Sequence, residues 1–358
     1  MLARACIAGL LLASAACGRL GFEQRVGNDA TIADGRNDAD ASDGNLARAN
    51  RAFVSRGRFN GNLGGVTGAD AICQAEAAIA SLDGEFIALL KADTRPDPAQ
   101  LFANSRGWQL PSGRWVADLP TQLSDGSFFQ PINEYSDGIV VDAANDGYRV
   151  WSGDFANFHC NNWLSTVPQG DQAWLAQWRR LSDGPHPCSE TLRLFCFERG
   201  QQHAFTQPPI THKRIFLSNG EFTPGSARTA DALCQTEATA ALLPGTYQAL
   251  LPAPGVAALD NLLDARTTTY QRVDGITVGL LGTSAVQHTY ITLSADGTVP
   301  ADSGVWTGGD PAVVQVNTCN NWRSAAGMAE RSAAFDWPGF EGLVDQCSTA
   351  LRLYCVER

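Results

Sequence analysis

Eight cysteines carry the plainest chemistry in this sequence, because paired thiols in an oxidising compartment become covalent cross-links. They form two sets of four. From Cys73 the steps to Cys160, Cys188 and Cys196 are 87, 28 and 8 residues, and from Cys234 the steps to Cys319, Cys347 and Cys355 are 85, 28 and 8. Their neighbours repeat with them: Ala69-Asp70-Ala71-Ile72-Cys73-Gln74 against Ala230-Asp231-Ala232-Leu233-Cys234-Gln235, and Cys160-Asn161-Asn162-Trp163 against Cys319-Asn320-Asn321-Trp322. The endings Arg193-Leu194-Phe195-Cys196-Phe197-Glu198-Arg199 and Arg352-Leu353-Tyr354-Cys355-Val356-Glu357-Arg358 complete the match. A unit this long is a duplicated domain, not a solenoid repeat. Binding chemistry is concentrated in the Cys-Asn-Asn-Trp segments. Asn161, Asn162, Asn320 and Asn321 offer hydrogen bonds, while Trp163 and Trp322 could stack on a sugar ring or a partner's aromatic residue. The competing reading gives these asparagines to irregular backbone and these tryptophans to the core.

Catalysis has no comparable basis. His159, His186, His203, His212 and His288 show no paired metal spacing, and none recurs at a matching position. His159 precedes Cys160, but Thr318 precedes Cys319, so a thiol–imidazole pair is not part of the repeat. No Gly-x-Ser-x-Gly elbow or phosphate-cradling glycine loop is present. The chain therefore reads as a protein that is not an enzyme and needs no cofactor. Its net charge of −11, from 37 acidic and 26 basic residues, argues against nucleic acid and anionic lipid headgroups as partners.

Short elements must position these residues. Segments 51–55 and 214–218 read as first strands, followed by glycine-bearing turns such as Asn60-Gly61-Asn62-Leu63-Gly64-Gly65. Segments 68–82 and 229–243 place Ile72, Ala75 and Ile79, and Leu233, Thr236 and Ala240, at helical spacing, which puts Cys73 and Cys234 on helices. Second helices are expected over 86–91 and 247–251. Asp-Gly and Ser-Gly turns then break the chain into short strands and long loops, until an alternating run closes each copy. Trp151 and Trp306 are expected in the core. Trp108, Trp115, Trp174, Trp178 and Trp337 lie where the copies differ, and are the better candidates for contact surfaces.

Residues 1–17 resemble a secretory signal: Arg4, an apolar stretch from Ala5 to Ala16 too short to span a bilayer, then Cys17. The ending Leu12-Ala13-Ser14-Ala15-Ala16-Cys17 resembles a bacterial lipobox, with Ser14 where leucine is usual, and implies lipidation at Cys17. Acylation would leave the mature chain without an odd thiol once Cys6 departs with the signal. Residues 18–50 carry scattered aspartates and few branched or aromatic residues, as a disordered acidic tether would. Domains are expected at 51–199 and 213–358, joined by a proline-bearing linker at 200–212. The expected location is the cell envelope, as an outer-membrane-anchored lipoprotein or a secreted protein, with membrane contact only through the lipid.

The endings Cys188-x7-Cys196-Phe197-Glu198 and Cys347-x7-Cys355-Val356-Glu357, with Val150-Trp151-Ser152-Gly153 and Val305-Trp306-Thr307-Gly308, resemble the C-type lectin-like fold, including its endostatin-like branch. The tandem motifs also resemble a bacterial domain of unknown function found in secreted and surface proteins. Four cysteines permit three connectivities. The resemblance implies the nested one: Cys73 with Cys196, Cys160 with Cys188, Cys234 with Cys355, Cys319 with Cys347. It implies an α+β fold of two tandem loop-rich domains, each with two early helices, short antiparallel strands and two nested disulfides. Sugar-binding members hold calcium with a Glu-Pro-Asn or Gln-Pro-Asp loop and a Trp-Asn-Asp before the third cysteine, and neither copy has that pair. Gln130-Pro131-Ile132-Asn133 is a partial echo. Were calcium found to bind, Gln130, Asn133, Glu134 and Asp154 would be the first residues to mutate. The expected function is calcium-independent binding of an unidentified surface protein or glycan; the alternatives are a passive structural envelope protein and a calcium-dependent lectin.

Overall fold

The computed structural model describes residues 48–141, 149–153, 158–167, 169–174, 184–262, 264–281, 289–300, 304–315, 317–333 and 343–358. The expected signal, Cys6, Cys17, Asp154, Trp178, His288 and Trp337 lie outside them, as does the tether up to residue 47. The fold is α+β with two eight-stranded sheets, one from each copy. In the first copy the strands are β1 (Asn50–Val54), β2 (Glu85–Ala88), β3 (Trp108–Gln109), β4 (Trp115–Ala117), β5 (Arg149–Trp151), β6 (Gln169–Trp174), β7 (Pro185–Pro187) and β8 (Arg193–Arg199), with helix α1 at Gly65–Ile79. In the second they are β9 (Lys213–Leu217), β10 (Tyr247–Ala249), β11 (Thr269–Gln271), β12 (Thr277–Leu280), β13 (Gly304–Trp306), β14 (Met328–Ala333), β15 (Leu343–Gln346) and β16 (Arg352–Glu357), with helix α2 at Ala230–Ala240. β1 starts at Asn50, and Arg48 already pairs with Glu198, so ordered structure reaches into the segment assigned to the tether.

Each closing strand is the hub of its sheet. β8 pairs antiparallel with β1 and with β2, and parallel with β5. β16 repeats this with β9, β10 and β13. The sheets are therefore mixed, not purely antiparallel as expected. Side chains alternate across them. Leu194 and Cys196 join the core on the α1 side with Phe53, Phe86, Trp151 and Trp163, while Phe195 and Phe197 join the opposite core with Val54, Ile87, Trp108 and Val150. Both faces are covered, so strands in the centre read as unbroken apolar runs.

That double burial explains why the expected second helices are absent. Segments 86–91 and 247–251 overlap the strands β2 and β10: Phe86 and Ala88 join one core and Ile87 the other, while Tyr247 and Ala249 join one core and Leu250, just after β10, the other. A short apolar run fits a buried strand as well as a helix. Helical turns occur later instead, at Pro98–Leu101 and at Ala258–Asn261. The two long helices are present, but turned from the expected face. Ala69, Cys73 and Ala77 are buried while Ile79 is 85% exposed, and α2 buries Leu233, Cys234 and Ala238 while Thr236 and Ala240 face solvent.

The orientation follows from the repeated Asp and Gln. β2 leaves two N–H groups on the edge away from β8, and unpaired edge donors must find acceptors. Phe86 N donates to Gln74 Oε1 and Ala88 N to Asp70 Oδ1, both at 2.9 Å. In the second copy Tyr247 N donates to Gln235 Oε1 (2.8 Å) and Ala249 N to Asp231 Oδ1 (2.9 Å). Cys73 and Cys234 lie on the same helical face. They are bonded to Cys196 and Cys355, with Cα atoms 5.4 and 5.3 Å apart, and the inner pairs are Cys160–Cys188 and Cys319–Cys347.

The outer bonds close loops of 123 and 121 residues and the inner ones loops of 28. On the chain-entropy account the longer loop is worth about 1 kcal/mol more. Denaturant titration should show Cys73→Ala/Cys196→Ala destabilising the first copy more than Cys160→Ala/Cys188→Ala; equal losses would contradict the entropic ranking.

A second prediction concerns alkaline pH. Burial, helped by the Glu357 carboxylate, pushes the Tyr247 phenol up to about 12, and the same causes push Tyr270 to about 12. The first copy has Phe86 and Trp108 at these register positions. A raised folded pKa means a contribution that is complete below the ordinary value of 10.0 and lost as pH climbs through about 12. Melts from pH 9 to 12 should therefore show a loss of stability that a Tyr247→Phe/Tyr270→Phe variant lessens.

Candidate functional site

Among the described residues, the Cys-Asn-Asn-Trp segments hold the longest runs of non-glycine residues with positive φ. Cys160, Asn161, Asn162 and Trp163 have φ of 48°, 54°, 56° and 63°, and Cys319, Asn320, Asn321 and Trp322 have 49°, 50°, 56° and 60°. Each is a complete left-handed turn. L-residues disfavour it by roughly 1–2 kcal/mol each, and asparagine tolerates it best because its short amide bonds locally. This is why two asparagines stand in the middle.

Several contacts hold the turn. Trp163 N donates to His159 O at 2.7 Å and Trp322 N to Thr318 O at 2.6 Å, while the backbone N–H groups of Asn162 and Asn321 donate to His159 Nδ1 (2.9 Å) and Thr318 Oγ1 (3.3 Å). His159 and Thr318 thus serve as equivalent acceptors. Each indole then bonds a preceding loop: Trp163 Nε1 to Lys91 O (2.8 Å) and Trp322 Nε1 to Pro252 O (2.9 Å). The rings lie 5.8 and 5.9 Å from those of Trp151 and Trp306. A Cβ on Gly153 or Gly308 would sit 2.8 or 3.1 Å from the Trp163 or Trp322 ring, so the Trp-x-Gly motif leaves room for the indole.

Trp163 and Trp322 are therefore buried and cannot serve as stacking platforms. Asn161 and Asn320 are exposed, and Asn162 and Asn321 are half-buried. Trp151 and Trp306 are in the core, as expected. Trp108 is not a contact residue: it is fully buried and its Nε1 donates to Glu198 O at 2.8 Å. Trp115 is also taken up internally, stacked on His203 and edge-on to Phe205 of the linker. Trp174 lies in β6.

The calcium fallback set has an occupant of its own. Arg114 donates to Gln130 Oε1 at 3.0 Å, to Asn133 Oδ1 at 2.9 Å and to Glu134 Oε1 at 2.7 Å, and all three acceptor residues are buried. A guanidinium sits where those oxygens could have met a cation. In the second copy the matching backbone bonds put Ile276 in place of Arg114 and Leu293 in place of Glu134. Among the described residues no group of three or more His, Cys, Asp or Glu could hold a metal. Arg114 was not legible as a site residue, because nothing near it repeats.

Beside the second left-handed turn lies a cavity of about 480 Å3, bordered by Arg228, Asp231, Gln248, Pro252, Asn321 and Trp322 among others. In the first copy a smaller one of about 270 Å3 is lined by Asp70, Gln74, Glu85, Arg95 and Arg199. The first-copy lining is closed by the Arg95–Asp70 and Arg199–Glu85 ion pairs, whereas no ion pair is found among the described residues of the second-copy lining. No family model and no curated protein matches this chain.

Removing the guanidinium should expose its role. Arg114→Met leaves the buried Glu134 carboxylate with only its Ser112 bonds, so the loss should fall short of the roughly 3–5 kcal/mol of a fully buried broken pair. Thermal melts should show that loss, and millimolar calcium should leave the wild-type melting temperature unchanged; a calcium-induced rise reversed by chelator would show that a metal competes for those oxygens.

Proposed function

We propose that this is an exported recognition protein of the cell envelope, carrying two tandem C-type lectin-like domains that bind a surface protein or glycan without calcium. The fold reading is supported by the order of elements around the disulfides: an early helix tied by the outer bond to the closing strand, and an inner bond across the last loops. Four disulfides accord with an oxidising compartment. Among the described residues no helix is long and apolar enough to cross a membrane. Cys17, with the apolar stretch before it, supports a lipid anchor.

Calcium independence is supported by Arg114, which engages the candidate oxygen ligands itself. The observation that carries binding over a passive structural role is the cavity of about 480 Å3 beside the second turn. A passive wall component has no need of an open polar cleft.

Arrays of glycans and envelope proteins, probed with the mature chain with calcium and with chelator, test this. The expected result is at least one ligand retained equally in both conditions. A ligand lost in chelator would favour the calcium-dependent lectin, and no ligand at all would favour the structural role.

A further inference from the structure

The two copies build one turn and fill it differently. In the first, Trp163 Nε1 bonds Lys91 O and Arg95 N bonds Ala92 O at 3.1 Å; in the second, Trp322 Nε1 bonds Pro252 O and Val256 N bonds Ala253 O at 3.0 Å. Arg95 and Val256 thus hold the same place in the same turn, and Asp93 matches Pro254. The helix carboxylate beneath is shared as well, since Asp70 and Asp231 each accept a strand N–H at 2.9 Å.

The first copy satisfies this place from within. The Arg95 side chain, 4% exposed, sets its guanidinium on Asp70 with contacts of 3.0, 3.0 and 3.2 Å. Asp93 and Asn162 exchange two further bonds, Asp93 N to Asn162 Oδ1 at 2.8 Å and Asn162 Nδ2 to Asp93 Oδ2 at 3.1 Å. In the second copy valine cannot reach the carboxylate, and the proline side chain has no polar group to offer Asn321. Asp231 is exposed, and among the described residues its carboxylate accepts only the Ala249 N–H. Asp231 and Asn321, with Pro252 and Ala253 from the start of that turn, border the cavity of about 480 Å3.

We propose that this cavity binds a guanidinium group, with Asp231 as its counter-ion, in the place that Arg95 takes in the first copy. A planar guanidinium bonds a carboxylate through two parallel N–H groups, which a lysine ammonium cannot do. Arg228 and Arg323 also border the cavity, so a carboxylate carried beside the guanidinium would meet cations there. The group comes from an arginine side chain of a partner or from free arginine. The proposal deepens the recognition reading and rests on it for the source of the ligand.

Calorimetry on the full mature chain tests it with three probes: Nα-acetyl-arginine methylamide, standing for a side chain in a protein, free L-arginine, and Nα-acetyl-lysine methylamide. The arginine probes should bind, the lysine probe more weakly by on the order of tenfold. Asp231→Asn should cost a similar factor. Val256→Arg should fill the cavity and abolish binding with the melting temperature held or raised. Binding of the methylamide assigns a partner's side chain; binding of free arginine alone assigns the amino acid. Equal binding of lysine, no change on Asp231→Asn, or no heat at millimolar arginine overturns the proposal. An array ligand that survives Asp231→Asn would overturn it while leaving recognition standing, whereas arginine binding without any array ligand would uphold the site and remove the recognition reading.

Discussion

Each copy depends on one constraint: the closing strand must hold three neighbours and a helix at once. β8 and β16 contribute hydrogen bonds to strands on both edges, and their cysteines fasten α1 and α2 across loops of more than a hundred residues. The charged residues at their ends are part of the same device. Arg193 Nη1 donates to Ser55 O (2.9 Å) and to Arg56 O, and Arg352 Nη1 donates to Ser218 O (3.0 Å) and to Asn219 O, so each buried guanidinium secures the exit of the first strand. Glu198 and Glu357 secure its entry by accepting the Arg51 and Arg214 N–H groups, both at 2.9 Å. A buried charge is tolerable only with such partners, which is why these positions repeat with the cysteines.

The left-handed turns are local strain that the surroundings hold in place. Four consecutive residues with positive φ would not persist in an isolated peptide. Here the inner disulfide fixes one end, the buried indole the other, and an acceptor side chain caps the middle. That His159 and Thr318 fill the same capping position makes the histidine a structural acceptor, and its position beside Cys160 a consequence of the turn. Strain so thoroughly supported marks a rigid platform beside which a loop can be varied.

The parts of the fold legible in the sequence were those where a single residue type has a single use. Cysteine spacing and Trp151 with Trp306 fall in this class. The second helices were misread because Phe86 to Leu90 is apolar throughout, and a strand buried on both faces has no periodicity to betray it. The helix face was misread because hydrophobicity pointed to Ile79, whereas Asp70 and Gln74, polar residues bonding a strand edge, set the rotation. Of the candidate site, Asn161, Asn162, Asn320 and Asn321 were singled out, but their left-handed conformation was not. Asp231 was visible only as part of a repeated motif. Gln130, Asn133 and Glu134 were legible as a polar set, but the Arg114 that binds them was not, since it lies on a separate segment and its counterpart Ile276 is apolar.

Duplication turns such differences into evidence. Where both copies keep a residue, as with Asp70 and Asp231 or the two glycines beneath the indoles, the fold itself accounts for it. Where only the first copy has a charge, the second has either replaced the whole group or left a partner exposed. Ile276 and Leu293 show the first outcome: both members of the Arg114–Glu134 pair have gone together, and no buried charge is stranded. Asp231 shows the second, because its strand-capping bond to Ala249 N requires the carboxylate whether or not an arginine covers it. The helix position is fixed by the sheet edge, while the arginine position lies on a loop, so the copy without the arginine keeps the acid beside the cavity. An ion pair divided in this way between a constrained and an unconstrained element is a direct route from a structural contact to a binding site.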